Sequence, residues 1–374
     1  MNETTPARPR VLLVSRKWPP AIGGMETYAV ELDASLATRF DVERWLLPGR
    51  KDGRPPGMVA YAVFVAKCML RSLFAGRRHE RVVYVDPVLF PVALVHALVA
   101  PSARRIVVMH GLDVIYGQRR GLLPALYRLY FGTLVRCQRV FSQVVTVSSS
   151  TAALARAAGL RAVTVVNPSL PDSALTRAQG TRDVSAMRTD FARTVLCFGR
   201  LVPRKGALWF AQHVLPRLPE DVGLIVAGPS THADQPALLA SLPRVRYVGA
   251  VDPETLASLV RAADVVAMPN IRTPESLDVE GFGLVAIEAS SLGGRLLASR
   301  LQGLVDAVTD GVTGTLVEPG DAEAWAAAVL ASFEAQRDEP IDHRNAIAAA
   351  TRRIYSRTVQ AGAFARLLLP SHGE

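Results

Sequence analysis

Cysteine is nearly absent from the 374-residue chain: Cys68, Cys137 and Cys197 are the only three, and they lie far apart. An odd, scattered set has neither the spacing of a metal knuckle nor the density of a disulfide framework, so a reducing compartment is expected. Aromatic residues make up 6% and charged residues 20%, against 49% hydrophobic. That balance fills large cores and excludes a disordered chain. Uninterrupted apolar runs are short. The longest, "VLFPVALVHALVA" at 88–100, holds a proline and a histidine and falls short of the roughly 20 residues that span a bilayer. "VLLV", after ten polar residues, is too short for a signal-peptide core. A soluble, cytoplasmic protein is expected. Acidic charge is scarce in the first half only. Residues 1–180 hold 24 Lys and Arg against 11 Asp and Glu, a net of +13, whereas 181–374 hold 19 against 22, a net of −3. The basic excess suits a polyanionic partner there: an anionic membrane, an acidic substrate or nucleic acid. No recognisable nucleic-acid module is present, so nucleic acid is not expected.

Other chemistry is missing too. There is no D-x-D, no His/Asp/Glu cluster at metal-ligand spacing, no G-x-S-x-G elbow and no G-x-G-x-x-G after the first strand. What is present is alternation. β-branched runs at 10–18, 81–87, 104–111, 143–150 and 162–169 read as buried strands with helical patterns between them. A second series follows at 194–200, 222–230, 245–250, 264–270, 295–300 and 313–321. Strand, helix, strand in this order predicts an α/β protein of two doubly wound, Rossmann-like parallel sheets facing a central cleft. The polar stretch 170–193 reads as a linker. The expected divisions are 1–175, 190–345, and a C-terminal helix within 346–374 that packs back on the first domain.

Ligands of such sheets bind beyond the carboxyl ends of the strands, and four stretches there carry chemistry. In "GRLVPRKG" (199–206), Arg200 and Lys205 flank a tight loop and suit a diphosphate; the bland alternative is a solvated basic loop. In "PPAIGGMETYAVEL" (19–32), Gly23 and Gly24 permit close backbone approach before a helix, or simply make a turn. "MHGLDV" (109–114) places His110 past a strand, with Asp113 near. In "DVEGFGLVAIE" (278–288), a helix is expected to begin at Gly281. The backbone N–H groups of Gly281, Phe282, Gly283 and Leu284 could then meet an anion. Glu280 at its mouth could accept from sugar hydroxyls, and Glu288 falls inside its apolar run, where an unpartnered acid would be costly.

In this order, these pieces resemble the family-four retaining glycosyltransferases, which have the GT-B fold, over nearly the whole chain. Glu280 and Glu288 match the E-x-seven-E signature. Gly199, Arg200, Leu201, Lys205 and Gly206 match G-R-L…K-G, and Pro19, Pro20, Gly23, Gly24 and Glu26 match P-P-x-x-G-G-x-E. The resemblance implies transfer of a hexose-type sugar from a UDP- or GDP-sugar with retained anomeric configuration. The acceptor would be a lipid-linked or polysaccharide-precursor molecule in envelope or exopolysaccharide synthesis. It implies that Arg200 and Lys205 bind the donor diphosphate and that Glu288 holds the ribose. Glu280 and the Gly281–Leu284 backbone would contact the donor sugar and phosphates. Gly24 would approach the phosphates and His110 the transferred sugar. His110, Arg200, Lys205 and Glu280 form the expected catalytic set, with Gly23 among the donor-binding residues. No metal and no cofactor are expected. Two positions depart from the family pattern, Arg295 in place of proline and Gln302 in place of the first glycine of a pair, and they leave the donor sugar open. A catalytically inactive nucleotide-sugar-binding subunit, a nucleotide-sugar epimerase and a transferase with a soluble small-molecule acceptor are the alternatives. Finally, 62–81 and 119–139 read as helices with Lys67, Arg71 and Arg78, and Arg128, Arg136 and Arg139, on single faces. Phe64, Met69, Leu73 and Phe74 lie beside the first set, and Leu123, Leu126, Tyr127, Tyr130 and Leu134 opposite the second. These helices are expected to dock peripherally on an anionic membrane.

Overall fold

The computed structural model describes residues 8–370 apart from 173, 175–181, 189, 231–233, 274–276 and 339. Much of the expected linker, and 274–276 in the loop ahead of Gly281, therefore lie outside the described residues. The chain divides into two compact units, Met1–Ser169 with Ser356–Glu374, and Leu170–Tyr355.

Unit 1 holds strands β1 (Arg10–Ser15), β2 (Asp41–Leu46), β3 (Arg81–Tyr84), β4 (Arg104–Met109), β5 (Gln143–Thr146) and β6 (Val163–Val165). They pair in parallel in the order β2-β1-β3-β4-β5-β6. Unit 2 repeats the plan with β7 (Arg193–Phe198), β8 (Val222–Ala227), β9 (Val245–Gly249), β10 (Val265–Met268), β11 (Leu296–Ser299) and β12 (Thr315–Val317). Its order is β12-β11-β10-β7-β8-β9, again all parallel. The central strands are hydrophobic runs because helices cover both faces; β8 is buried at every position. Each expected strand exists, shortened by one to six residues where polar strand-end residues turn into loops. β2 was not anticipated. Its sequence, DVERWL, buries only Val42 and Trp45, as an edge strand half open to water does, and it lacks the apolar run that marks the others.

The C-terminal segment is two helices rather than one. His343–Ile354 packs on the helix Leu284–Ser291 in unit 2, and Arg357–Leu368 packs on the helix Gly24–Ala37 in unit 1. In unit 1 that contact is pinned by Arg357 Nη2 on Glu31 Oε2 at 2.6 Å.

Both sheets reverse their winding once, between β1 and β3 and between β7 and β10, and in open parallel sheets ligands bind at such reversals. In unit 2 the loops after β7 and β10 touch backbone to backbone at that point. Gly206 sits at φ +73°, and a Cβ there would stand 1.8 Å from the Pro269 carbonyl oxygen. The Ile271 N–H donates to the Arg204 carbonyl at 2.9 Å. Gly320 has φ +79° with open space where its Cβ would be, so it isolates backbone strain from crowding. Gly320→Ala should cost about 1–2 kcal/mol, the left-handed penalty. Gly206→Ala should cost roughly 2–4 kcal/mol, because the two loops must part. Urea unfolding of both variants checks this; equal midpoints would mean that the loops yield freely.

Candidate functional site

The loop after β7 runs Gly199 to Gly206. Its cations meet a carboxylate that arrives from after β10. Glu280 Oε2 receives Arg204 Nη1 at 2.6 Å, Lys205 Nζ at 2.5 Å and Asn270 Nδ2 at 3.1 Å. The three side chains of the ion-pair cluster are 13–18% exposed. Burial alone would raise the Glu280 carboxyl, but the charges of Lys205 and then Arg204, with their hydrogen bonds, hold it down to about 2. Burial pushes the Lys205 ammonium down, Glu280 opposes this, and Arg204 and Arg200 add to it. Glu280 is thus a fixed anion between two fixed cations.

The Glu280 backbone is held as firmly as its carboxylate. Its N–H donates to Gln302 Oε1 at 2.7 Å, and its carbonyl accepts from the Gly303 N–H at 3.1 Å. Gln302 adopts φ +51°, a conformation that usually favours glycine, and its amide reaches back to brace the acid. A Cβ at Gly303 would lie 2.5 Å from the Gly281 carbonyl oxygen. The departure from the family pattern at Gln302 therefore falls on the turn that holds Glu280.

The helix after Glu280 begins three residues later than expected. It spans Leu284–Ser291, with Gly283 as N-cap at φ +104°. Gly281 and Phe282 precede it; the buried Phe282 ring meets Tyr355 edge-on, centroids 5.8 Å apart. The two glycines had suggested a helix start at Gly281, but Gly283 is in the left-handed region and caps the helix instead. The helix buries Ala286, Ile287, Ala289, Ser290 and Ser291. Glu288 is half-buried, one turn on from Leu284 and Val285. The Val285 methyls lie 3.8–3.9 Å from where a Gly199 Cβ would be, so this face looks toward the Gly199 loop. The apolar run is therefore the packed side of the helix, and Glu288 sits beside it, not within the core.

Between these parts is a small recess lined by Phe198, Gly199, Arg200, Lys205, Met268 and Asn270, among others. Arg200 is exposed at its rim. Asn270 is 2% exposed, and its Oδ1 has no hydrogen-bond partner among the described residues. Arg204 and Asn270 were not picked out from sequence. Arg204 was adjacent to a recognised lysine; Asn270 carried only its place at a strand end.

Gly23, Gly24 and His110 belong to unit 1. Gly23 is the extended N-cap of Gly24–Ala37, and a Cβ on Gly24 would meet nothing within 4 Å. His110 follows β4. Its Nε2–H donates to the Val85 carbonyl at 2.8 Å, which leaves Nδ1 as the acceptor. Its backbone N–H is taken by Asp113 Oδ2 at 2.9 Å, and Tyr28 packs edge-on at 4.8 Å. Burial pushes the Asp113 carboxyl up. At the winding reversal of this sheet, Arg16 pairs with the fully buried Asp86 at 3.0 Å. Among the described residues no group of three His, Cys, Asp or Glu could hold a metal ion.

Residues 192–334 match the family described as glycosyl transferases group 1. Over that stretch the chain is similar to glycosyl transferases group 1. Two relatives agree. The D-inositol 3-phosphate glycosyltransferase 2 of Catenulispora acidiphila is 35% identical over 195 residues, 45% of this chain and 44% of that protein. The GDP-mannose-dependent alpha-(1-6)-phosphatidylinositol monomannoside mannosyltransferase of Mycolicibacterium smegmatis is 37% identical over 141 residues, 36% of this chain and 37% of that one. The matched region thus spans less than half the length of either relative. Among solved structures, Anabaena Alr3699/HepE in complex with UDP and glucose superposes with a TM-score of 0.65 at 18% identity, over 96% of this chain and 99% of that one. The sucrose-phosphate synthase of Thermosynechococcus elongatus does so with a TM-score of 0.69 at 19% identity, over 96% and 99%. The fold is that of these solved structures, two Rossmann-like parallel-sheet domains of the GT-B kind.

The state of Glu280 has a consequence for stability. Its folded pKa lies below its unfolded value, near 4.3. Its contribution is therefore present above that value and is lost as pH falls through about 2. Glu280→Gln should cost unit 2 about 3 kcal/mol at pH 7, and the gap to the parent should narrow as pH drops from about 4.5 toward 2. Urea midpoints across that range measure it; a gap independent of pH would sink this account of the cluster.

Proposed function

We propose that the chain is a retaining glycosyltransferase that moves a hexose-type sugar from a UDP- or GDP-sugar to a lipid-linked or polysaccharide-precursor acceptor. The observation that carries this reading is that Arg200, Lys205 and Asn270 line one pocket at the winding reversal of unit 2, with Glu280 and Arg204 joined to Lys205 and Asn270 behind it. A diphosphate at that pocket would meet Arg200 at the rim and would compete with Glu280 for Lys205. Cations already in place before reaction stabilise the charge that grows on a departing nucleoside diphosphate without reorganising. Glu288, on the helix face toward Gly199, is offered to the ribose hydroxyls, and the open acceptor on Asn270 suits a ligand O–H. His110 Nδ1, its tautomer set by Val85, would accept from a sugar hydroxyl. The acceptor proton passes to the donor phosphate in this scheme, so no protein nucleophile and no metal are required. The family match supports the donor class, as do the named substrates of the mannosyltransferase and the UDP complex of the Anabaena protein.

Donor turnover with a lipid extract as acceptor tests the reading. Arg200→Ala and Lys205→Ala should each lower kcat/KM by roughly 10²–10³, with turnover in EDTA unchanged. Near-parental rates in both variants would reject the assignment.

One feature of unit 1 favours a lipid acceptor over a soluble one. The helix Met58–Ala75 turns Phe64, Cys68 and Ser72 inward, so Phe64 belongs to the core and not to a docking face. Its outer stripe carries Val59, Val63, Leu70, Leu73 and Phe74, each 47–84% exposed, with Lys67 alongside. Arg78 lies past the helix end, and Arg71 stacks on Trp45 at 5.8 Å. Met58–Arg78 is long and apolar enough to cross a membrane, with a mean hydropathy of 1.6, although Lys67 and Arg71 interrupt its apolar run. Its inner face packs on the helix Phe90–Val99, which suits lying in the membrane surface. The helix Leu122–Arg136 exposes Leu122, Leu123, Leu126 and Leu129 and buries Leu134. Both helices reach the turn after β3, through Tyr61 Oη on the Val88 carbonyl and Tyr130 Oη on the Pro87 carbonyl. The protein should co-sediment with anionic vesicles at low salt. Leu70→Asp with Phe74→Asp, on exposed positions, should abolish this without changing the fold. Parental binding by that variant would remove the docking role.

A further inference from the structure

We propose that unit 1 carries a second anion site, for a phosphate- or diphosphate-bearing ligand, at the amino ends of β5 and β6. It goes beyond the donor pocket, which belongs to the other unit and to the carboxyl ends of its strands. A groove open to solvent is lined by Arg136, Arg139 and Arg161 over Phe141 and Val144. The three guanidinium groups come from the end of one helix, the short turn after it, and the bend before β6. None has a carboxylate within ion-pair distance among the described residues.

The sequence explains the lack of acids. Residues 87–171 contain nine arginines, no lysine and a single acid, Asp113. Asp113 follows the carboxyl end of β4, beyond the opposite edge of the sheet from the groove. An ordinary solvated face mixes both signs of charge and uses lysine freely. Arginine alone offers planar forks that match two phosphate oxygens at once.

The frame beneath these arginines is built. Gln138 Nε2 donates to the Val135 carbonyl at 2.8 Å and the Gly159 carbonyl at 3.1 Å, while its Oε1 accepts the Arg161 N–H at 2.6 Å. One side chain thus fixes Arg161 against the turn that bears Arg136 and Arg139. Arg105, 6% exposed, donates to the carbonyls of Val140, Ala100 and Pro101 at 2.6–3.0 Å. It holds the Arg139 turn from below and adds a fourth positive charge that pairs with no acid among the described residues. Phe141 and Val144, 5% and 2% exposed, are packed beneath the groove.

Hydrogen exchange of the full chain, followed by mass spectrometry, tests the site with inorganic pyrophosphate as probe. Protection is expected in peptides covering 135–144 and 159–163, and its apparent affinity should fall about tenfold or more in Arg139→Gln with Arg161→Gln. Both side chains are exposed, and 199–206 reports the donor pocket separately, so failure at one site is read independently of the other. Phosphatidate vesicles against phosphatidylcholine vesicles distinguish the source. Protection by phosphatidate that exceeds that by pyrophosphate assigns a lipid headgroup, and the reverse assigns a soluble phosphate. Absence of protection at 135–144 and 159–163 with both probes, or equal protection in the variant, overturns the proposal.

Discussion

A single carboxylate organises unit 2. Glu280 lies where the loops after β7 and β10 come together, and its Oε2 accepts from Arg204, Lys205 and Asn270 at once. A buried acid among cations is costly unless every partner is in place, and here each partner is set by something else. Gly206 lets the cation loop lie against Pro269. Gln302 and Gly303 take both polar groups of the Glu280 backbone. The parallel register of β7 with β10 brings the two loops to the same edge of the sheet. Remove any one and the cations lose the anion that orients them. The cations are therefore held in place by contacts that are complete within unit 2.

Unit 1 handles its own winding reversal with the same economy and a different surface. Arg16 pairs across it with the buried Asp86, and His110 is fixed beside it through the Val85 carbonyl. Around this polar centre the outer helices leave leucines, valines and a phenylalanine in water. Monomeric proteins seldom expose such stripes without a use for them. The basic excess of the first half resolves into distinct places. Arg71 is occupied by Trp45, Arg105 supports the backbone of a turn, and Arg136, Arg139 and Arg161 gather at one groove. Net charge alone describes a field; the fold decides which arginines are structural and which remain available.

Fold class was legible in the sequence because parallel strands buried on both faces are nearly continuous β-branched runs. Eleven such runs sufficed to infer two sheets. The strand missed, β2, lies at an edge and mixes Glu43 and Arg44 with its two buried residues, so local pattern could not reveal it. Arg200, Lys205, Glu280 and Glu288 stand out in the sequence because their spacing follows a known order, the first three in loops beyond strand ends and Glu288 within the helix that follows. Spacing along the chain could not say that Glu280 would be bound by Arg204 and Lys205, that the helix would wait until Leu284, or that Gln302, twenty-two residues on, would hold the Glu280 N–H. Nor could it say that Phe64 faces inward while Phe74 faces water on one helix. These are contacts between segments remote in sequence, and they depend on which strand ends become neighbours. Periodicity and residue type determine the elements because both act within a few residues. Tertiary packing alone decides partners, because only closure of the sheet brings residues 76 positions apart within hydrogen-bond reach.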